Sequence, residues 1–90
     1  MTQHRLTLVG KPGCHLCDDA RDVVAAVREE VAAQPDAPEF AFEELSILDD
    51  PALAERYAEE IPVVLIDDDV HGYWRIDPVR LKSALLEAGR

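Results

Sequence analysis

Ninety residues, 48% of them apolar and 31% charged, fit one small α/β domain over 1–90 with a modest core. A formal net charge of −10 argues against a nucleic-acid partner and against anionic membrane surfaces, and no run is long or apolar enough to span a bilayer. The apolar run Leu6–Val9 is too short for a secretory signal and gives way to Gly10-Lys11-Pro12-Gly13, so a cytoplasmic protein is expected.

The first strand is predicted over Arg5–Val9, and Pro12-Gly13 then breaks regular structure. A helix is predicted from Cys14 or His15 to about Ala33, because Leu16, Ala20, Val23, Val24, Val27 and Val31 recur at three- and four-residue spacing. Two prolines make Gln34–Pro38 a loop. Phe40–Ile47 reads as a second strand whose apolar phase slips from Phe40 and Phe42 to Leu45 and Ile47, as a bulge or a largely buried strand would produce.

Asp50 and Pro51 are the N-cap and first residue of a short helix with Leu53, Ala54, Tyr57 and Ala58 on its apolar side. Ile61-Pro62 opens a buried strand, Val63–Ile66. A turn at Asp67–Asp69 leads to an antiparallel partner, Val70–Ile76, with Val70, Trp74 and Ile76 toward the core and His71, Tyr73 and Arg75 outward. Asp77-Pro78 repeats the cap signature ahead of a last helix, Pro78–Ala88, which Gly89 can end. The order β-α-β-α-β-β-α makes a four-stranded mixed sheet flanked by three helices.

Both cysteines of the chain, Cys14 and Cys17, fall two residues apart at the start of the first helix. A bridge between them closes so small a loop that it removes little unfolded-chain entropy, which favours a reversible bond over a structural staple. A strand, a turn, Cys-x-x-Cys and a helix in that order read as a thiol–disulfide redox site. Zinc needs four ligands, and the spacing of His4, His15 and His71 does not supply the missing ones. Asp18 after Cys17 excludes a c-type haem pattern.

Lys11-Pro-Gly-Cys14-His-Leu-Cys17, Phe42-Glu-Glu-Leu-Ser-Ile47 and Glu60-Ile61-Pro62-Val63-Val64 together resemble the thioredoxin fold, and within it the small glutaredoxin-like proteins, over nearly the whole chain. The nearest likeness is to an uncharacterised glutaredoxin-like group with a Cys-His-Leu-Cys-Asp site. The resemblance implies a lysine three residues before the first cysteine, met by Lys11, and a proline opening the third strand, met by Pro62. It also implies a cis Ile61–Pro62 bond packed on the cysteine pair, with the Ile61 backbone pairing with a substrate chain. Two departures stand out: His15-Leu16 replaces the usual Pro-Tyr, and the glutathione-binding Gly-Gly is replaced by Tyr73-Trp74-Arg75-Ile76-Asp77. Asp77 falls near the family's glutathione-binding aspartate.

On this reading the protein is a thiol–disulfide oxidoreductase. Cys14 is the attacking thiol, since helix-start N–H groups, the helix dipole and the Lys11 cation all favour a thiolate. Cys17, one turn on and more buried, resolves the mixed disulfide. A protonated His15 would stabilise the thiolate further, whereas an exposed helix-start residue would not, and Asp18 and Asp19 oppose it. No cofactor is expected to be tightly bound; glutathione or another low-molecular-weight thiol is the expected co-substrate. Protein or small-molecule disulfides and a reductant system are the expected partners of a monomer. A redox-inert or metal-carrying binding module, or a redox sensor without turnover, is the alternative.

Overall fold

The computed structural model describes residues 4–88. Its elements are β1 (His4–Gly10), α1 (His15–Ala32), β2 (Phe40–Ser46), α2 (Pro51–Tyr57), β3 (Val63–Ile66), β4 (Asp69–Tyr73) and α3 (Pro78–Ala88). The strands form one sheet in the order β2-β1-β3-β4. β1 runs parallel to β2 and antiparallel to β3, and β3 pairs antiparallel with β4. The mixed sheet and the α/β order are those expected. Gly89 lies outside the described residues. No helix among the described residues is long and apolar enough to cross a membrane.

β1 is central and buried on both faces, which is why its apolar run does not alternate. Leu6 and Leu8 join Val64 and the buried stripe of α1 and α3 (Ala20, Val24, Val27, Val31, Leu81 and Leu85) in one apolar cluster. Val9, Val63 and Leu65 meet Ile47 and Tyr57 in a second cluster, with Leu53 and Ala54 of α2 packed on it. Two helices therefore cover one face of the sheet and the short α2 covers the other.

This division explains the phase slip in β2. The strand is neither bulged nor largely buried. It pairs with β1 in unbroken register from His4–Phe40 to Gly10–Ser46, as a half-exposed edge strand. Phe40 and Phe42 pack on the first cluster, and Leu45 packs beside buried Ile47 on the second. The apolar cover changes face along the strand; the backbone does not.

β4 needs a larger correction. It ends at Tyr73, and Val70 and Trp74 are 45% and 54% exposed; of the three residues expected in the core, Ile76 alone packs against it. For Val70 the cause is a register shift: Leu65 faces Val70 but Val64 faces Gly72, so His71 is an extra residue that reverses the alternation between them. Trp74 then leaves the strand with φ +66°, a left-handed conformation that costs a non-glycine residue energy. The hairpin turn is the two residues Asp67 and Asp68, at φ +51° and +71°, which suits a tight hairpin. Asp67 accepts the Arg5 amide at 2.8 Å and His4 Nδ1 at 2.7 Å, and Asp68 pairs with the Arg5 guanidinium at 2.8 Å. The turn is thereby tied to the start of β1.

Candidate active site

β1 delivers the chain to Lys11, and Pro12-Gly13 turns it, with Gly13 at φ +76°. Cys14, still extended at φ −99° and ψ 116°, is the N-cap of α1. Its Sγ accepts the Cys17 amide at 3.2 Å, and its carbonyl accepts the Asp18 amide at 3.0 Å. An N-cap normally uses a side-chain oxygen for this bond; here sulfur takes the place. The cap holds Cys14 half-exposed at the molecular surface, while Cys17, on the buried stripe of α1, is 1% exposed. Both thiols are free.

Burial pushes the Cys17 thiol up to about 11, and its hydrogen bond with Cys14 pushes in the same direction. The Lys11 backbone amide and the Arg21 charge pull it down but do not prevail. Arg21 is itself held by Glu44 of β2, at 2.6 Å, and by Asp18, at 2.8 Å, which clamps this part of α1 to the sheet edge.

Lys11 precedes the pair, His15 lies between the two cysteines, and both are exposed. Lys11 reaches the site through its backbone, toward Cys17, rather than through an ion pair among the described residues. The Ile61–Pro62 peptide bond is cis, and Pro62 is fully buried. Continuing the β1–β3 register one step beyond Val9–Val63 sets Pro62 opposite Gly10, and Gly10 lies against Cys17. The Ile61 amide is bonded to Tyr57 O at 3.1 Å, so its carbonyl is what it can offer an incoming chain. Asp77 is engaged at the start of α3: its Oδ1 caps the helix by accepting the Val79 and Arg80 amides, at 2.9 and 3.3 Å. No group of three or more His, Cys, Asp or Glu side chains is arranged to hold a metal among the described residues.

Two residues of the site were missed in the sequence. Gly10 allows α1 to approach β1: a Cβ there would stand 3.0 Å from Cys17 Sγ. Trp74, assigned to the core, instead flanks Leu16 of the Cys-x-x-Cys, and with Tyr73 and Arg75 they line an open hollow of about 420 Å³. The only sequence signal for either was position, a glycine closing the first strand and an aromatic in place of the family's glycine.

A four-stranded mixed sheet with two helices on one face, one on the other, and a cysteine pair at the start of α1 defines a thioredoxin-like α/β protein. A thioredoxin from Halobacterium salinarum superposes with a TM-score of 0.66 at 20% identity, covering 99% of this chain and 77% of that one. A structural-genomics target protein from X. campestris is 35% identical, with a TM-score of 0.62 and coverage of 89% and 93%. Residues 5–86 match the glutaredoxin-like domain (DUF836), and the chain belongs to that family. An uncharacterised protein of Mycobacterium tuberculosis is 25% identical over 83 residues, 92% of this chain and 84% of its own.

Proposed function

We propose that the protein is a dithiol oxidoreductase in which Cys14 attacks a disulfide and Cys17 resolves the intermediate. The observation that carries this reading is the asymmetry of the pair: a half-exposed sulfur at a helix N-cap and a buried one a turn later, joined through the Cys17 amide. Cys14 thiolate bonds to one sulfur of the substrate, and the other leaves as thiolate and takes a proton. Cys17 thiolate then bonds to Cys14 Sγ and expels the second substrate sulfur. Two electrons pass from the dithiol to the substrate, and the protein ends as the Cys14–Cys17 disulfide.

The raised Cys17 thiol suits this order of events. Two of the influences that hold it protonated, the hydrogen bond and the charge of Cys14, disappear once Cys14 is bonded to substrate sulfur. Cys17 is therefore easier to ionise in the intermediate than in the resting dithiol, which keeps the resolving thiol quiet until it is needed.

Lys11 and His15 are proposed to favour the Cys14 thiolate, and Ile61 and Pro62 to seat the substrate chain. The physiological reductant is proposed to be a low-molecular-weight thiol, glutathione or another, acting on a cytoplasmic monomer. The test is mixed-disulfide trapping. Cys14→Ser should abolish reduction of a small disulfide, and Cys17→Ser should accumulate a stable adduct through Cys14, read by mass spectrometry. Full turnover by the Cys14→Ser protein would end this reading.

A further inference from the structure

Of the five large apolar side chains that stand exposed among the described residues, four (Val70, Tyr73, Trp74 and Val79) lie on β4, just after it, or in the first turn of α3. Tyr73 and Trp74 meet edge to face at 5.2 Å, with Tyr73 47% exposed. The indole is fixed rather than loose: Trp74 Nε1 donates to Glu59 O at 3.0 Å and its amide to Pro62 O at 2.9 Å. A left-handed tryptophan held in water by two hydrogen bonds is strain with no return in core packing, and such strain collects at functional surfaces. Of the four side chains, Tyr73 and Trp74 stand together beside Leu16, and adjoining exposed apolar side chains mark an interaction surface.

The neighbouring charges indicate what would cover it. Arg75 walls the hollow beside Leu16 and also a second cleft of about 280 Å³, where it meets His71, Asp77 and Arg80. Arg5, Arg21 and Lys82 have carboxylate partners, and Arg28 and Arg56 lie over aromatic rings. Arg75 and Arg80 make no ion pair among the described residues. The Asp77 carboxylate in the cleft is turned to the α3 amides, and Asp19 borders the groove on the α1 side. Burial, and then Arg80, hold the half-buried His71 below its usual range, so it adds no cation at neutral pH. Two free guanidiniums beside a Trp–Tyr pair, in a chain of net charge −10, form a local exception to the surrounding field. Trp, Tyr and Arg are also the residue types that dominate the energetics of protein interfaces.

We propose that Trp74, Tyr73, Arg75 and Arg80 form the docking face for an acidic segment of a partner protein, the one whose disulfide is exchanged at Cys14. An apolar side chain of the segment sits between Leu16 and Trp74, and its carboxylates bond to Arg75 and Arg80. This rests on the exchange chemistry proposed above and assigns it a class of substrate.

The test uses synthetic peptides with one cysteine next to a leucine, activated as the mixed disulfide with 5-thio-2-nitrobenzoate, and with flanks of glutamate, glutamine or lysine. Cys14 attacks the peptide sulfur and releases the same coloured thiolate from each, so the ratio of rates reports the flanks alone. Two exposed ion pairs predict a preference for the glutamate peptide over the glutamine one of about three- to tenfold at low salt, shrinking as salt is added. The double variant Arg75→Gln/Arg80→Gln should bring the ratio to about one. Arg75→Glu/Arg80→Glu should reverse it toward the lysine peptide, which a misfolded protein would not do.

Quenching of the chain's single tryptophan by unreactive serine versions of the peptides reads binding without chemistry. Acidic binding without exchange on any disulfide would remove the exchange reading and leave the docking face. Exchange with equal rates on all three peptides would overturn the docking face and leave the exchange. Glutathione disulfide displacing the acidic peptide at lower concentration than the peptide needs to bind would overturn the protein partner in favour of a small anionic thiol.

Discussion

Gly10 lies close against Cys17, and Gly10→Ala probes that contact directly. The added Cβ would lie 3.0 Å from Cys17 Sγ and 3.2 Å from Cys17 Cβ. Ordinary contact between such atoms falls at about 3.5–4.0 Å, so the neighbouring side chain must give by a few tenths of an ångström. Little around it yields. Gly10 is paired to Ser46 and its carbonyl accepts the Ile47 amide at 2.9 Å. Cys17 is buried, with its amide fixed to Cys14 Sγ. The Gly10 backbone is not in the left-handed region, so alanine meets no conformational strain and the whole cost is steric. Overpacking of this kind costs about 1–3 kcal/mol, and each kcal/mol lowers Tm by about 4–8 °C in a domain of this size.

The assay is urea unfolding of the reduced wild type, Gly10→Ala, Cys17→Ala and the double variant. Cys17→Ala removes the nearer clashing atom and leaves the farther one, so Gly10→Ala should cost less in that background. The expected coupling is about 0.5–3 kcal/mol, the range for side chains in contact. In the proposed exchange, displacing the resolving sulfur should also lengthen the life of the mixed disulfide. The same cost in both backgrounds, or a cost of Gly10→Ala within about 0.5 kcal/mol of zero, as at an unconstrained site, would refute the steric account.

Cys14→Ala should bring the Cys17 thiol down from about 11 while leaving it above its ordinary 9.0, because burial, the largest cause, remains; thiolate absorbance against pH measures it, and an unchanged midpoint would contradict the coupling. The Arg5 amide, followed by His4, holds the Asp67 carboxyl below its ordinary 3.8. A depressed carboxyl stabilises the fold above its unfolded value and loses that contribution as pH falls through the lower folded one. The stability gap between wild type and Asp67→Asn should therefore be full near neutrality and narrow below about pH 4, and a gap independent of pH would argue against it. Asp77→Ala removes the cap of α3 and should cost about 0.5–2 kcal/mol in thermal unfolding, whereas Asp77→Asn, which keeps the acceptor, should cost less.

Local chemistry was legible in the chain. Asp50-Pro51 and Asp77-Pro78 start helices as their side chains dictate, with Asp50 Oδ1 accepting the Ala52 amide at 2.9 Å. The valine stripe of α1 faces the sheet, and the cysteine pair sits at that helix's start. Pairwise matters were not legible. His71 becomes an extra residue because of how β4 sits on Val64 and Leu65, and nothing within Val70–Ile76 announces it. The misplacement of Trp74 has a different origin: the strand ends at Tyr73 and Trp74 turns left-handed, which alternation within Val70–Ile76 does not anticipate. Phe42 and Leu45 face different layers because α1 and α3 cover one side of β2 and α2 the other. Gly10 reads as an ordinary strand end until the position of Cys17 is known.

The sulfur that caps α1 has an electrochemical consequence. Cys14 Sγ accepts the Cys17 amide in the dithiol, and in a Cys14–Cys17 disulfide the sulfur that accepts it is no longer a thiol or thiolate. A thermodynamic cycle links the two states: whatever the cap contributes to the reduced protein and not to the oxidised one favours reduction by the same amount. A typical N-cap contributes about 1 kcal/mol, and about 1.4 kcal/mol corresponds to roughly 30 mV for a two-electron couple. The cap thus raises the midpoint potential by about 20 mV where the disulfide loses it entirely. Residues that touch no substrate can set how oxidising the pair is by strengthening or loosening the first turn of one helix.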